Sequence, residues 1–318
     1  MSIGLRLVLF YYNYISDMRD YSDDMSPAQI RIENKEHLKK VGFLVDCAPI
    51  AMAKVEDRKI PMRDGTEITI RIYHPNTTEG LPIVVFFHGG GFVLRDIDSH
   101  DKACRRLAKT SNVIVVSVGY RLAPEFKFPI PIQDAYDARL WVAENATTLG
   151  GDPEQLIVMG DSAGGNLATV TAIQARELGK PKIAKQVLIY PSLDARMQLP
   201  SMEALGEGYF LSKHTIRWFI EHYKSQEADI VNPLMSPLLT EDLSNLPPAF
   251  VITASHDPLK DDGEHYADRL IESANEVYFK EYHGTIHGFL NLTRLTRKTQ
   301  KMHDDIRDFI AEGTISAF

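Results

Sequence analysis

Apolar positions along this chain fall into two alternating patterns. Short β-branched and aromatic runs recur at EITIRIY (67–73), PIVVFF (82–87), NVIVVSV (112–118), QLIVMG (155–160), KQVLIY (185–190), AFVITA (249–254) and EVYFKEY (276–282). These read as strands. From residue 112 onward they are almost continuously apolar, as strands buried on both faces are. Between most of them, apolar residues recur every three or four positions. One helix follows IDSHD, where Ser99 can cap it, and carries Ala103, Leu107 and Ala108. Another opens near Pro131 and sets Ile132, Ala135, Tyr136, Leu140 and Ala143 along one side. Further helices are expected from Ser162 to about residue 178 and from about Asp262 to Ser273. The alternation predicts an α/β fold, with a mainly parallel central sheet flanked by helices on both faces.

Two stretches break the alternation. Residues 1 to about 50 are helix-like, and no strand is expected before EITIRIY. Residues 195–240 carry LSKHTIRWFIEHYK, in which Ser212 can cap a helix and Ile216, Phe219, Ile220 and Tyr223 form a stripe. Both are read as helical pieces that pack together over one end of the sheet.

Composition narrows the function classes. A chain of 318 residues, 44% hydrophobic and 25% charged, has the make-up of an ordinary globular protein. The net charge of −8 and the lack of a Lys/Arg block argue against a nucleic-acid partner. Cys47 and Cys104 allow at most one disulfide and are read as reduced thiols. The opening MSIGLRLVLFYYNYI is too short to span a bilayer and lacks a small-residue cleavage site. It reads as an apolar helix that packs on the body or touches a membrane surface. The chain is accordingly expected to be cytoplasmic, with no integral membrane segment.

The chemistry concentrates in three places. First, Ser162 sits in GDSAGG between the strand QLIVM and a helix. A nucleophile lifted out of a sharp strand-to-helix turn needs small residues two places to either side, here Gly160 and Gly164. Second, a serine nucleophile needs a base and a group to orient it, in the chain order Ser, acid, His for this kind of sheet. Asp257, Asp261 and Asp262 follow AFVITA, and His283 and His287 follow EVYFKEY. Asp257 is favoured because it comes soonest after its strand, and His287 because Gly288 permits a turn. Third, His88-Gly89-Gly90-Gly91 follows PIVVFF. Backbone N–H groups of Gly89 and Gly90, with that of Ala163, are expected to hold the negative oxygen of a tetrahedral intermediate. No Lys-Ser/Thr ending makes this a P-loop, and no zinc or EF-hand spacing implies a metal.

Together HGGGF, GYRLAPEFKFP, GDSAGGNLA, LIYPSLD, DPLKDDG and IHGF, in that order over roughly residues 60–312, resemble the hormone-sensitive-lipase-like group of α/β-hydrolases, microbial carboxylesterases included. The resemblance implies the α/β-hydrolase fold, a Ser162–His287–Asp257 triad, oxyanion donors at Gly89, Gly90 and Ala163, and no cofactor. It implies a helical cap made of residues 1–50 and an insertion at about 195–240, on a catalytic domain covering 51–318. The activity it implies is hydrolysis of short- to medium-chain acyl esters through an acyl-enzyme, with a small-molecule ester as substrate and a homodimer as assembly. A ligand receptor on the same fold, or cleavage of an amide or carbamate by the same triad, are the alternatives. The chain departs from the family at Leu94-Arg95 and Ser255-His256, away from the triad. Tyr209, Phe210, Trp218 and Phe219 line an acyl channel or, on the weightier reading, form the cap's core. Arg121 and Glu125 are read as loop braces.

Overall fold

The computed structural model describes residues 1–14, 25–179 and 181–313. One sheet holds eight strands: β1 (Lys54–Pro61), β2 (Glu67–His74), β3 (Leu81–Phe87), β4 (Ile114–Gly119), β5 (Gly151–Asp161), β6 (Lys185–Ile189), β7 (Ala249–His256) and β8 (Val277–Ile286). Their spatial order is β1-β2-β4-β3-β5-β6-β7-β8. β2 runs antiparallel to β1 and β4, and every other pair is parallel. The seven expected strands are all present. The eighth, β1, comes from KVEDRKIP, whose charges hide it. It is an edge strand with only Ile60 buried.

The helices are α1 (Ile3–Tyr14), α2 (Pro27–Val45), α3 (Asp101–Ser111), α4 (Ile130–Asn145), α5 (Ala163–Leu178), α6 (Pro200–Ala204), α7 (Lys213–Tyr223), α8 (Lys260–Glu272) and α9 (Lys298–Glu312). Alternate side chains of β3 divide the core. Ile83, Val85 and Phe87 pack with Ala135 and Leu167 of α4 and α5. Val84 and Phe86 pack on the other face with Leu107 of α3 and Ile306 and Phe309 of α9. That two-sided burial is the physical reason the central strands carry no polar face.

Capping differs in one place from expectation. Ser212 accepts from the Thr215 N–H at 3.0 Å and caps α7. Ser99 does not cap α3: its hydroxyl donates to the Asp96 carbonyl at 2.6 Å, and the helix starts two residues later.

Of the first helical stretch outside the alternation, α1 and α2 lie against the end of the sheet where the parallel strands finish, as the 195–240 stretch does, and residues 15–24 are outside those described. Leu5 and Leu9 of α1 pack on Ile286, with Tyr209 of the 195–240 stretch against them. Arg31 of α2 donates to the carbonyls of Val93 and Ala123 and pairs with Glu125. Arg121 in turn holds Asp134 and Asp64, so both residues of the YRLAPE stretch brace loops. Among the described residues, no helix is long and apolar enough to cross a membrane.

Candidate active site

The turn after β5 sets Ser162 at φ 57° and ψ −120°, a backbone state that costs roughly 1–3 kcal/mol. Its surroundings hold it there. The Ser162 N–H donates to the Ile189 carbonyl at 2.9 Å, and its own carbonyl accepts from the Asn166 N–H at 3.1 Å, starting α5. The flanking glycines are explained by contact. A Cβ on Gly160 would lie 2.1 Å from the Gly164 carbonyl oxygen, and one on Gly164 would lie 1.9 Å from that of Phe87. Backbones of β3, β5 and α5 touch at this point, and no side chain fits between them.

Asp257 leaves the end of β7 and is fully buried. One carboxylate oxygen accepts from the Leu259 N–H at 2.9 Å, and the other lies 2.7 Å from His287 Nδ1. His287 Nε2 is 2.9 Å from Ser162 Oγ. An ionised carboxylate only accepts, so Nδ1 carries the proton and Nε2 presents its lone pair to the serine hydroxyl. Gly288, at φ 79°, turns the chain after His287, and the Tyr190 ring packs on the imidazole at 4.6 Å.

The other acids and the other histidine are placed elsewhere. Asp261 accepts from the Ser201 N–H at 2.8 Å. Asp262, buried and with its pKa raised by burial, accepts from Leu193 and Asp194. Both tie down the start of the insertion. His283 is exposed and pairs with Glu281.

The glycine loop requires one correction. The Gly89 N–H is already donated to Asp161 Oδ1 at 2.9 Å, so it does not face an incoming oxyanion. Among the described residues the N–H groups of Gly90, Gly91 and Ala163 have no acceptor. The N–H that the expectation placed at Gly89 is therefore spent, whereas that of Gly91 is left open beside Gly90. Two buried groups fix the loop from behind. His88 Nδ1 donates to the Gly89 carbonyl at 2.8 Å, and Tyr120 donates to the His88 carbonyl at 2.7 Å while stacking on its ring. Burial, with His100 beside it, pushes the His88 pKa down to about 4, so the ring is neutral. Asp161 lies 3.2 Å from His100 Nε2. Burial alone would raise its pKa, but the neighbouring His100 and the Gly89 N–H outweigh that and hold it low. Asp161 and His88 both stood inside the quoted motifs, but the sequence does not show that they meet at Gly89. His100, 61 positions before Asp161, carried no signal at all.

The insertion closes over this floor. A Cβ on Gly91 would strike the Phe219 ring at 2.1 Å, and one on Gly288 would lie 3.9 Å from Phe210. Tyr209 faces His256, with ring centroids 5.0 Å apart. Trp218 is buried in the main core, edge-on to Phe219. Of the four aromatics, then, Trp218 is core, and Phe210 and Phe219 stand beside the site.

Comparison with known proteins supplies an independent view. A family model for the α/β hydrolase fold matches residues 84–291. The chain is 40% identical over 244 residues to an ethyl acetate hydrolase of Pseudomonas putida, covering 75% of this chain and 76% of that one. It is 41% identical over 243 residues to the carboxylesterase NlhH of Mycobacterium tuberculosis, covering 75% and 76%. The solved structure of a hyperthermophilic esterase from the archaeon Pyrobaculum calidifontis superposes with a TM-score of 0.90 at 39% identity, over 99% of both chains.

Proposed function

Since this chain belongs to the hormone-sensitive-lipase-like carboxylesterases of the α/β-hydrolase fold and is a carboxylic ester hydrolase, we propose that Ser162, His287 and Asp257 perform the hydrolysis. One observation carries this reading: the unbroken contact from Asp257 Oδ2 through both imidazole nitrogens to Ser162 Oγ. Ser162 Oγ attacks the acyl carbon as its proton passes to His287 Nε2. Asp257 keeps the proton on Nδ1 and stabilises the imidazolium. The carbonyl π pair moves to oxygen, where the N–H groups of Gly90, Gly91 and Ala163 receive the charge. Each such donor contributes about 2.7–4 kcal/mol. When the intermediate collapses, the C–O bond to the alcohol breaks and His287 protonates the leaving oxygen. Water then attacks the acyl-serine with His287 again as base, and the carboxylic acid leaves.

Residues 1–50 and about 195–240 act together as the cap, on a catalytic domain spanning 51–318. Support comes from their meeting at Tyr209 and from Phe219 over Gly91. With Phe210 and Phe219 close to the reacting atoms, the acyl group is short to medium. One relative is named for ethyl acetate, which agrees. The reading also carries a homodimer, checked by light scattering, and a cytoplasmic location, which two unbridged cysteines suit. The test of the triad is a p-nitrophenyl butyrate assay combined with an alkyl phosphonate label. Wild type should turn over the ester and carry the label on Ser162, and Ser162→Ala should do neither. Labelling at another residue, or turnover retained in the variant, would overturn the assignment.

A further inference from the structure

We propose that the outer face formed by α1, the last turn of α2 and the segment 293–298 docks on an anionic phospholipid surface. α1 has two sides. Leu5 and Leu9 are buried against Ile286, while Ile3 is 79% and Leu7 64% exposed, one turn apart on the outward side. At the end of α2, Phe43 is 60% and Leu44 56% exposed. The two helices flank the same short segment. The Ser2 hydroxyl donates to the Leu295 carbonyl at 2.6 Å, and the Arg294 N–H donates to the Val45 carbonyl at 3.0 Å. The exposed apolar groups therefore stand on either side of Arg294.

Charge selects the occupant. Arg6, Lys39, Lys40, Arg294, Arg297 and Lys298 are all exposed on these elements, although the chain as a whole carries −8. Lys39 and Lys40 lie one turn before Phe43 and Leu44. The acids on these elements are Glu33 and Glu36, further back along α2, and the neighbouring Glu281 is engaged by Lys260 and His283. Exposed apolar side chains fringed by cations match an interface of acyl chains under anionic headgroups. Each such cation contributes about 1 kcal/mol near that surface. At twelve residues α1 is too short to span a bilayer and would lie in its plane. An open cavity of about 490 Å³ beside Ser2, His283 and Arg297 has room for a headgroup. Docked in this way, the face whose inner side rests on Ile286 would set the membrane next to His287, where apolar esters partition.

Flotation of the full chain with vesicles tests this, using phosphatidylcholine alone or in equal parts with phosphatidylglycerol. Wild type should float with the mixed vesicles, not with phosphatidylcholine alone, and should be released by salt. Arg294→Glu with Lys298→Glu, and separately Leu7→Asp, should each weaken binding by at least ~10-fold while turnover of a soluble ester is unchanged. Failure of wild type to float, or flotation unaffected by both variants, would overturn the proposal. So would a dimer that Leu7→Asp dissociates without any vesicle binding, which would assign the face to a second copy of the chain.

Discussion

Gly164→Ala tests the reading of the nucleophile turn most directly. The added Cβ would lie 1.9 Å from the Phe87 carbonyl oxygen and 2.8 Å from that of His88, whereas real Cβ atoms hardly ever come closer than 3.0 Å. Both obstacles are backbone, so no rotamer change relieves them. The end of β3 and the start of α5 must part by about 1.1 Å. Overpacking of this kind costs about 1–3 kcal/mol of stability. The displacement also separates the His88–Gly91 loop from Ser162, and a shift near 1 Å in reacting geometry costs on the order of 100-fold in rate. We expect a folded protein with a lowered Tm and a kcat on p-nitrophenyl butyrate reduced about 100-fold, with KM little changed. Gly42→Ala is the control. Among the described residues nothing lies within 4 Å of its Cβ, and it should leave kcat alone while adding roughly 0.5–1 kcal/mol. A Gly164→Ala enzyme with near wild-type kcat and Tm would refute the claim that close backbone contact is why glycine stands there.

Two further outcomes follow from buried polar groups. Asp161→Asn keeps the shape behind Gly89 but replaces a charged acceptor by a neutral one, a loss of about 1 kcal/mol. It should lower kcat several-fold with KM unchanged, and an unaltered kcat would remove Asp161 from its positioning role. His303 of α9 is buried, neither ring nitrogen is hydrogen-bonded among the described residues, and burial, helped by Arg106, pushes its pKa down to about 3. Below pH 6.5 the unfolded chain binds a proton there that the folded chain refuses, so stability falls as pH drops toward 3. By pH 5 this amounts to about 2 kcal/mol. His303→Leu should lose less stability than wild type between pH 7 and pH 5 in urea titrations, and equal losses would contradict the assignment.

What the sequence discloses depends on whether the signal is local. The expected strands are legible because apolar and aromatic runs need no partner to be recognised, even in β8, which lies at the other edge of the sheet and is only partly buried. β1 is not: its charged residues face water from an edge, and only its pairing with β2 makes it a strand. α9 is not among the expected helices, although Met302, Ile306, Phe309 and Ile310 have helical spacing and all are buried. That Ser162, Asp257 and His287 come together is readable from motif order because each follows a strand closely, on a loop too short to wander. Which glycine amides are left without an acceptor is not readable. Peptide planes in HGGG are oriented by Asp161, a partner 72 positions away from Gly89.

Because β5, β7 and β8 run parallel, Ser162, Asp257 and His287 all emerge from one end of the sheet. The connectors at the far end then have only closure to perform. The turn at left-handed Gly179, just after α5, lies at that far end, with nothing among the described residues within 4 Å of its Cβ. New termini for a circular permutant, a surface-immobilisation tag or a fused binding module could be grafted there with the chemistry left intact. The molecule thereby offers protein engineers a handle pointing away from its own reaction.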